Sequence, residues 1–407
     1  MNTEAMNQTT AIINAKIFDG ENVIGGDERV VLIKEKYIQA VTDKTPKGAI
    51  IIDAKGATLI PGLIDSHVHT DMNGLRDALK FGVTTELEMM GRWTKKQRRE
   101  ISERNDIADL RSPGMGVTPK GGHPTEYVSQ NLLIRLFVRY FFPFVETPEQ
   151  AVKFVKKQIA CGADYIKIFI EDGSCVGYPG LPVLNDDTVR AAIDEAHRHD
   201  KLTIVHATTA DAARRAINAG IDGLGHLFFD CSPTSALIEG IVKSGAFIIP
   251  TTVTLSTAFG NTAAALAADK RVSSKLSKEW LDALSRSMNV YPQGKLENAY
   301  STIRALRDAG VDILAGSDVS EPTPALGGLA HGASLHHELQ LLVAAGLKPI
   351  EALRAATSTP ARRFGLNDRG RISPGALADI LLIEGDPLSK ISDTLSIQTV
   401  WHRGVKL

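Results

Sequence analysis

The sequence predicts an α/β protein, a (β/α)8 TIM barrel carrying a small β-sandwich assembled from both ends of the chain. Two observations predict it. Between residues 60 and 366, short apolar strands alternate with amphipathic helices, and eight strands with helical connections suit a closed barrel better than an open sheet. Outside that span, both ends read as short strands broken by Gly, Asp, Asn and Lys turns, which places the two parts of a sandwich over 1–59 and 367–407. A chain of 407 residues has room for one large unit with such an appendage.

In chain order, 11–18, 30–34, 37–41, 50–52 and 58–60 read as sandwich strands, too few residues to be stable alone. Their expected partners are the strands at 378–383 and 397–407. The candidate barrel strands are 63–69, 83–90, 114–118, 165–170, 202–207, 223–227, 247–253 and 312–316. Helical periodicity fills 147–160, 186–199, 209–219, 233–243 and 296–309, with 335–345 and 349–356 extending the helical layer after strand eight. Gly162, Gly220 and Gly310 fall where helices end before the next strand, as C-terminal capping glycines do. Two connections exceed plain linkers. The first, 119–146, carries Gly121-Gly122-His123 and then Tyr127, Leu132, Leu133, Phe137, Tyr140, Phe141, Phe142 and Phe144; it reads as a lid over the barrel mouth or as a helix packed outside the barrel. The second, 255–295, is rich in Ala, Ser and Lys and is expected to form one or two helices.

Composition narrows the function classes. The chain is 43% hydrophobic and 23% charged with a net charge of -1, without the basic surplus of a nucleic-acid binder. Cys161, Cys175 and Cys231 form no CxxC pair, which suits a reducing compartment. Residues 1–10 lack a signal-peptide pattern, and the longest apolar run, 132–145, is cut by Arg135, Arg139 and Pro143. The expectation is a cytoplasmic protein with a small-molecule substrate and neither nucleic acid nor membrane as partner.

The chemistry starts at Gly62-Leu63-Ile64-Asp65-Ser66-His67-Val68-His69. On a strand, His67 and His69 project from the same face and can chelate one metal ion, although two polar residues on a wet edge would read the same way. Later strands supply matching groups: Lys167 among apolar neighbours, then His206, His226 and Asp318 at strand ends. Strand ends converge on one mouth in a barrel, so the six residues are expected to meet there.

This pattern resembles the amidohydrolase superfamily, in particular its prolidase, imidazolonepropionase-like and ochratoxinase-like branch. The stretches that carry the resemblance span nearly the whole chain: residues 60–69, Gly82-Val83-Thr84-Thr85, Ala315-Gly316-Ser317-Asp318, Ala352-Leu353-Arg354-Ala355-Ala356-Thr357 and 370–380. The resemblance implies two divalent metal ions, with zinc the usual choice for a His-rich site and manganese or cobalt also compatible with carboxylate and carbamate ligands. It assigns His67, His69 and Asp318 to one metal and His206 and His226 to the other. Lys167, as a carbamate formed with CO2, would bridge them; a salt-bridged lysine beside a single metal is the other reading. The implied reaction is attack on a C–N amide or peptide-like bond by a hydroxide shared between the metals, with Asp318 shuttling the proton. N-acyl amino acids, dipeptides and bulky aromatic amides are the expected substrates, and homo-oligomers are common in such relatives.

Three further residues are candidate substrate contacts: His123 on the loop after strand three, Tyr127 on the same loop, and His331 in Gly327-Gly328-Leu329-Ala330-His331-Gly332; each could instead brace its loop. His197, His199, His336, His337 and His402 read as ordinary helix or surface histidines, and the run Arg92 to Arg99 as a solvated helix face. A lactone, carbamate, urea or phosphotriester would suit the same attack. A mononuclear deaminase or imidazolonepropionase-like enzyme is a lesser alternative, because a deaminase wants a glutamate where Thr209 stands. A scaffolding relative should have lost ligands that this chain retains.

Overall fold

A computed structural model describes residues 8–25, 29–127 and 143–407. Parallel strands close around a buried core. Strand one (Leu63–Val68) pairs with strand two (Val83–Glu88), which pairs with Asp109–Arg111. A second parallel run joins strands four to seven: Ile166–Phe169, Thr203–His206, Gly223–Gly225 and Phe247–Ile249. Parallel strands buried on both faces lose the alternation of polar and apolar residues, and every residue of strands one and two is buried.

The two remaining strands differ from expectation. Residues 114–118 contribute only a bridge between Val117 and Ile168, and the ladder to strand two is made earlier, by Asp109–Arg111. The interruption lies at Pro113, which has no N–H to donate, and at Gly114, which turns at a φ of 72°. Residues 312–316 likewise give a single bridge, Ile313 to Ile248, because the Ala315 N–H donates to the Ala355 carbonyl (2.7 Å) and leaves the ladder. The circle still closes, since Ser66 N–H donates to Ala315 O (2.9 Å) and Val68 bridges Val319.

The helices Pro148–Ala160, Asp186–His197, Ala210–Ala219, Ser235–Ser244 and Leu296–Asp308 lie within two residues of the expected bounds. Four of them begin at a side-chain cap: Thr147, Asn185, Thr209 and Thr234 each accept a backbone N–H three residues on. The 255–295 connection exceeds its expected one or two helices. Thr252–Ala258, Ala264–Ala268, Lys270–Ser273 and Lys278–Leu284 form there, and the last two restart at the caps Asp269 and Ser277. Within the described residues, no helix is long and apolar enough to cross a membrane. Residues 128–142, and with them most of the aromatic run, lie outside the described residues.

Both chain ends build two sheets. One is six-stranded and runs Val405–Lys406, Ile397–His402, Ile380–Ile383, Thr58–Pro61, Lys16–Phe18 and Val23–Ile24. The other has Tyr37–Thr42, Val30–Lys34, Thr10–Ile13 and Ile50–Asp53. Ile12, Val31 and Ile33 of the second sheet share one apolar core with Leu59, Ile380 and Trp401 of the first. The sandwich strand Thr58–Pro61 passes through Gly62 directly into strand one. A Cβ at Gly62 would sit 2.3 Å from Thr84 Oγ1, so only glycine lets this junction approach strand two.

One buried acid offers a test of the packing. Glu338, on Ala333–Ala344, accepts the Val253 N–H at 2.7 Å while its Oε1 has no hydrogen-bond partner among the described residues, and burial pushes its carboxyl up to about 7. The folded state therefore keeps a proton that the unfolded chain releases near 4.5. That contribution is complete below 4.5 and is lost as pH rises to about 7. Glu338→Gln, permanently neutral, is expected to remove this loss. Its melting temperature should fall less than that of the wild type, by a few degrees, between pH 4.5 and pH 8 in thermal denaturation.

Candidate metal centre

Strand one ends in the pair that the spacing singled out. His67 is fully buried and His69 half-buried, and their rings stand 6.0 Å apart. Asp318 reaches them from strand eight: its Oδ1 lies 3.3 Å from His67 Nε2 and 3.4 Å from His69 Nε2. These three side chains together could hold a metal ion. The backbone that carries Asp318 is strained to do so. Asp318 has a φ of 55° and His226 a φ of 78°, in a left-handed region that side chains with a Cβ seldom occupy.

His226 continues the arc. Its ring is 4.5 Å from that of His67 and 4.5 Å from that of His206, and its Nδ1 lies 2.8 Å from Thr251 Oγ1. Donating Nδ1–H to that hydroxyl leaves His226 the lone pair on Nε2. His206 is fixed from the other side, with its Nε2 3.0 Å from Glu171 Oε2. Lys167 lies beneath, 1% exposed. A Cβ at Gly225 would stand 3.0 Å from Lys167 Nζ and 3.0 Å from His67 Cε1, so the absence of a side chain there lets the two groups face each other.

Burial sets the protonation states. It pushes His67, His206 and His226 well below the ordinary histidine range, aided by the neighbouring Lys167. Neutral imidazoles are the form that binds metals. Burial also lowers Lys167 to about 7, opposed by the Asp318 and Glu88 carboxylates, so the free amine is available near neutral pH. Both nitrogens of His67, and Lys167 Nζ, have no hydrogen-bond partner among the described residues. Buried donors and acceptors are rarely left so, and three around one carboxylate suit the ligand set of a bound cation.

All six metal-ligand candidates line one cavity of about 650 Å³. The three substrate-contact candidates line it as well. His123 stacks 4.2 Å from the His206 ring, and its Nδ1 is hydrogen-bonded to Glu126. Tyr127 meets His123 edge-on at 5.8 Å, and burial pushes its hydroxyl up. His331 is buried, with Nδ1 3.4 Å from Glu86 Oε1 and Trp280 edge-on at 5.3 Å. Burial works against its proton, but Glu86 outweighs it and His331 is raised above the ordinary range. Elsewhere, His336 and His402 are not surface groups: His336 joins Thr394 and the Phe81 carbonyl, and His402 joins Asp379, all buried. From the basic run, Arg98 is taken by Asp164 and the Ser112 carbonyl.

Sequence reasoning missed the groups behind the candidate residues: Asp65, Glu86, Glu88, Glu126, Glu171, Thr208 and Thr251. Asp65, Glu86 and Glu88 sit on strands one and two, and Glu171 four residues after Lys167. A carboxylate within an otherwise apolar strand was the available signal.

The amidohydrolase family model matches residues 58–407. The chain belongs to that family. Membership makes it a metal-dependent hydrolase acting on carbon–nitrogen bonds. An uncharacterised protein of Mycobacterium tuberculosis is 25% identical over 345 residues, covering 82% of this chain and 80% of its own. Among solved structures, a Xaa-Pro dipeptidase with bound methionine superposes with a TM-score of 0.75 at 21% identity, covering 98% of this chain and 100% of that one. Ochratoxinase from A. niger gives 0.72 at 19% identity, with 98% and 96% covered. These likenesses establish the shared barrel-and-sandwich fold.

In this amidohydrolase the close approach at Gly225 carries a prediction. Gly225→Ala would press into the His67 ring and Lys167 Nζ, an overpacking that costs about 1–3 kcal/mol. Metal content after dialysis at limiting metal, read by elemental analysis, should drop by about tenfold in affinity. Gly240→Ala, where nothing lies within 4 Å, should hold metal as the wild type does.

Proposed function

We propose that the chain is a binuclear metal-dependent amidohydrolase that cleaves the amide bond of a bulky, apolar or aromatic substrate. The observation that carries this reading is the set of buried nitrogens on His67 and Lys167 that have no hydrogen-bond partner among the described residues, facing Asp318 and neutral histidines within one cavity. His67, His69 and Asp318 would hold one divalent ion, and His206 and His226 a second. Lys167 would join them as a carbamate: the neutral amine adds to CO2, an N–C bond forms, one proton leaves, and an anionic oxygen pair results. Zinc suits the histidines, while the two anionic groups also suit manganese or cobalt. When bound, such ions supply a water that is deprotonated near neutral pH and polarise the substrate carbonyl.

The protein groups do the rest. Asp318, with an 18% exposed side chain at the cavity floor, accepts the proton of the attacking water and passes it to the departing nitrogen. His123, with Nδ1 held by Glu126, presents Nε2 to the carbonyl oxygen. Tyr127 and His331 bind the substrate further out.

Support for a bulky substrate comes from the wall. Phe169, Phe229, Trp280, Met288, Val290 and Leu255 line it, giving a mouth suited to aromatic or branched groups rather than a small polar dipeptide. The name of the structurally similar ochratoxinase is in keeping with such a choice.

The test is metal analysis together with a hydrolysis screen over aromatic amides, N-acyl amino acids, dipeptides and lactones, read by mass. Two equivalents of divalent metal per chain and turnover of aromatic amides are expected. Asp318→Asn should lower kcat by about 10²–10⁴. Turnover of lactones alone would sink the amide assignment, and an Asp318→Asn variant as active as wild type would remove the proton-shuttle role.

A further inference from the structure

We propose that Glu171 is the positioning residue for the His206 half of the site, fixing which nitrogen of that ring is presented and how firmly. The assignment rests on the two-ion reading above.

Glu171 follows strand four, and its side chain is almost completely buried. Three donors converge on it. His206 Nε2 lies 3.0 Å from Oε2, the Thr208 hydroxyl donates to the same oxygen, and Gly173 N–H donates to Oε1 at 2.7 Å. A carboxylate can only accept, so His206 must donate Nε2–H. The lone pair is thereby committed to Nδ1, and the ring is held between the Glu171 contact and the tilted rings of His123 (4.2 Å) and Phe169 (5.6 Å). Nothing comparable stands behind His67, whose nitrogens have no hydrogen-bond partner among the described residues. His226 is hydrogen-bonded to the neutral Thr251 hydroxyl (2.8 Å), with an Asp318 oxygen further off at 4.0 Å. Among the described residues, Glu171 is therefore the carboxylate that is hydrogen-bonded to a ligand histidine on this side of the site. An anionic acceptor raises the basicity of the opposite nitrogen, and such partners typically change metal affinity by about 10–100-fold. A purely structural role, as a brace for the turn at Gly173, would leave metal affinity unmoved.

The experiment titrates zinc and cobalt into apoprotein against a chelator of known affinity, with bicarbonate present, for wild type, Glu171→Gln, Glu171→Ala and Thr208→Val. Melting of each apoprotein reports folding separately. Glu171→Ala should weaken one equivalent by about 10–100-fold and leave the other unchanged. Glu171→Gln, which keeps an acceptor and loses the charge, should weaken the same equivalent by about tenfold. The visible spectrum of the cobalt bound in that equivalent should shift in both variants. Thr208→Val should give a smaller loss in the same equivalent, because it removes a donor to Glu171 without touching His206. Two equivalents bound by Glu171→Gln as tightly as by wild type, with an unchanged cobalt spectrum, overturn the assignment while leaving the two-ion reading intact, and they do so even if Glu171→Ala does not fold. A wild type that binds fewer than two equivalents overturns the two-ion reading and the assignment together.

Discussion

The site depends on the seam where strand eight meets strand one. Asp65 is fully buried there, and burial pushes its carboxyl up to about 8. Its Oδ1 accepts the Ser317 N–H at 2.9 Å and the His67 N–H at 3.3 Å, and its Oδ2 lies 2.6 Å from the Ser317 hydroxyl. Asp318 N–H then donates to the His67 carbonyl at 2.6 Å, and His69 N–H to Val319 O at 2.8 Å. One acid thus ties residues separated by most of the chain into a register in which the Asp318 carboxylate faces His67 and His69. The left-handed backbone at Asp318 is held by these bonds, since an isolated strand would relax it.

Closure of the barrel also makes the chemistry available. The same packing that removes water from strands one, two and four lowers Lys167 and the three buried histidines toward their neutral forms. Uncharged nitrogens without partners are costly in a core unless something binds them. The mouth of the barrel stores that cost at the place where a cation would relieve it.

The histidine pair was legible because two residues on a strand share a face, and the barrel was legible because its helices carry caps and apolar stripes at their expected places. The break in strand eight was not, because it comes from a hydrogen bond to a distant partner, Ala315 to Ala355, that no local pattern encodes, whereas Pro113 and Gly114 did mark the break before 114–118. Nor were the supporting acids. Glu86 and Glu88 flank Leu87 on a strand buried on both faces, where alternation no longer separates inside from outside and a polar residue reads as a solvent-facing one. The roles of Glu171 and Thr251 were hidden for a related reason: each acts on a histidine from a different strand, 35 and 25 residues away.

The two halves of the site are consequently supported by different physics. On the seam side, the buried Asp65 carboxylate holds the His67 and Ser317 backbone and Asp318 N–H donates to the His67 carbonyl, while the nitrogens of His67 have no hydrogen-bond partner among the described residues. On the other side the backbone merely ends a parallel sheet, and side-chain bonds from Glu171 and Thr251 orient the rings. Backbone register yields only when the barrel opens, whereas Glu171 and Thr251 act on the rings through single side-chain contacts. The setting of the His206 ring is therefore open to change through neighbouring side chains, while the placing of Asp318 against His67 and His69 is tied to the register of the barrel itself.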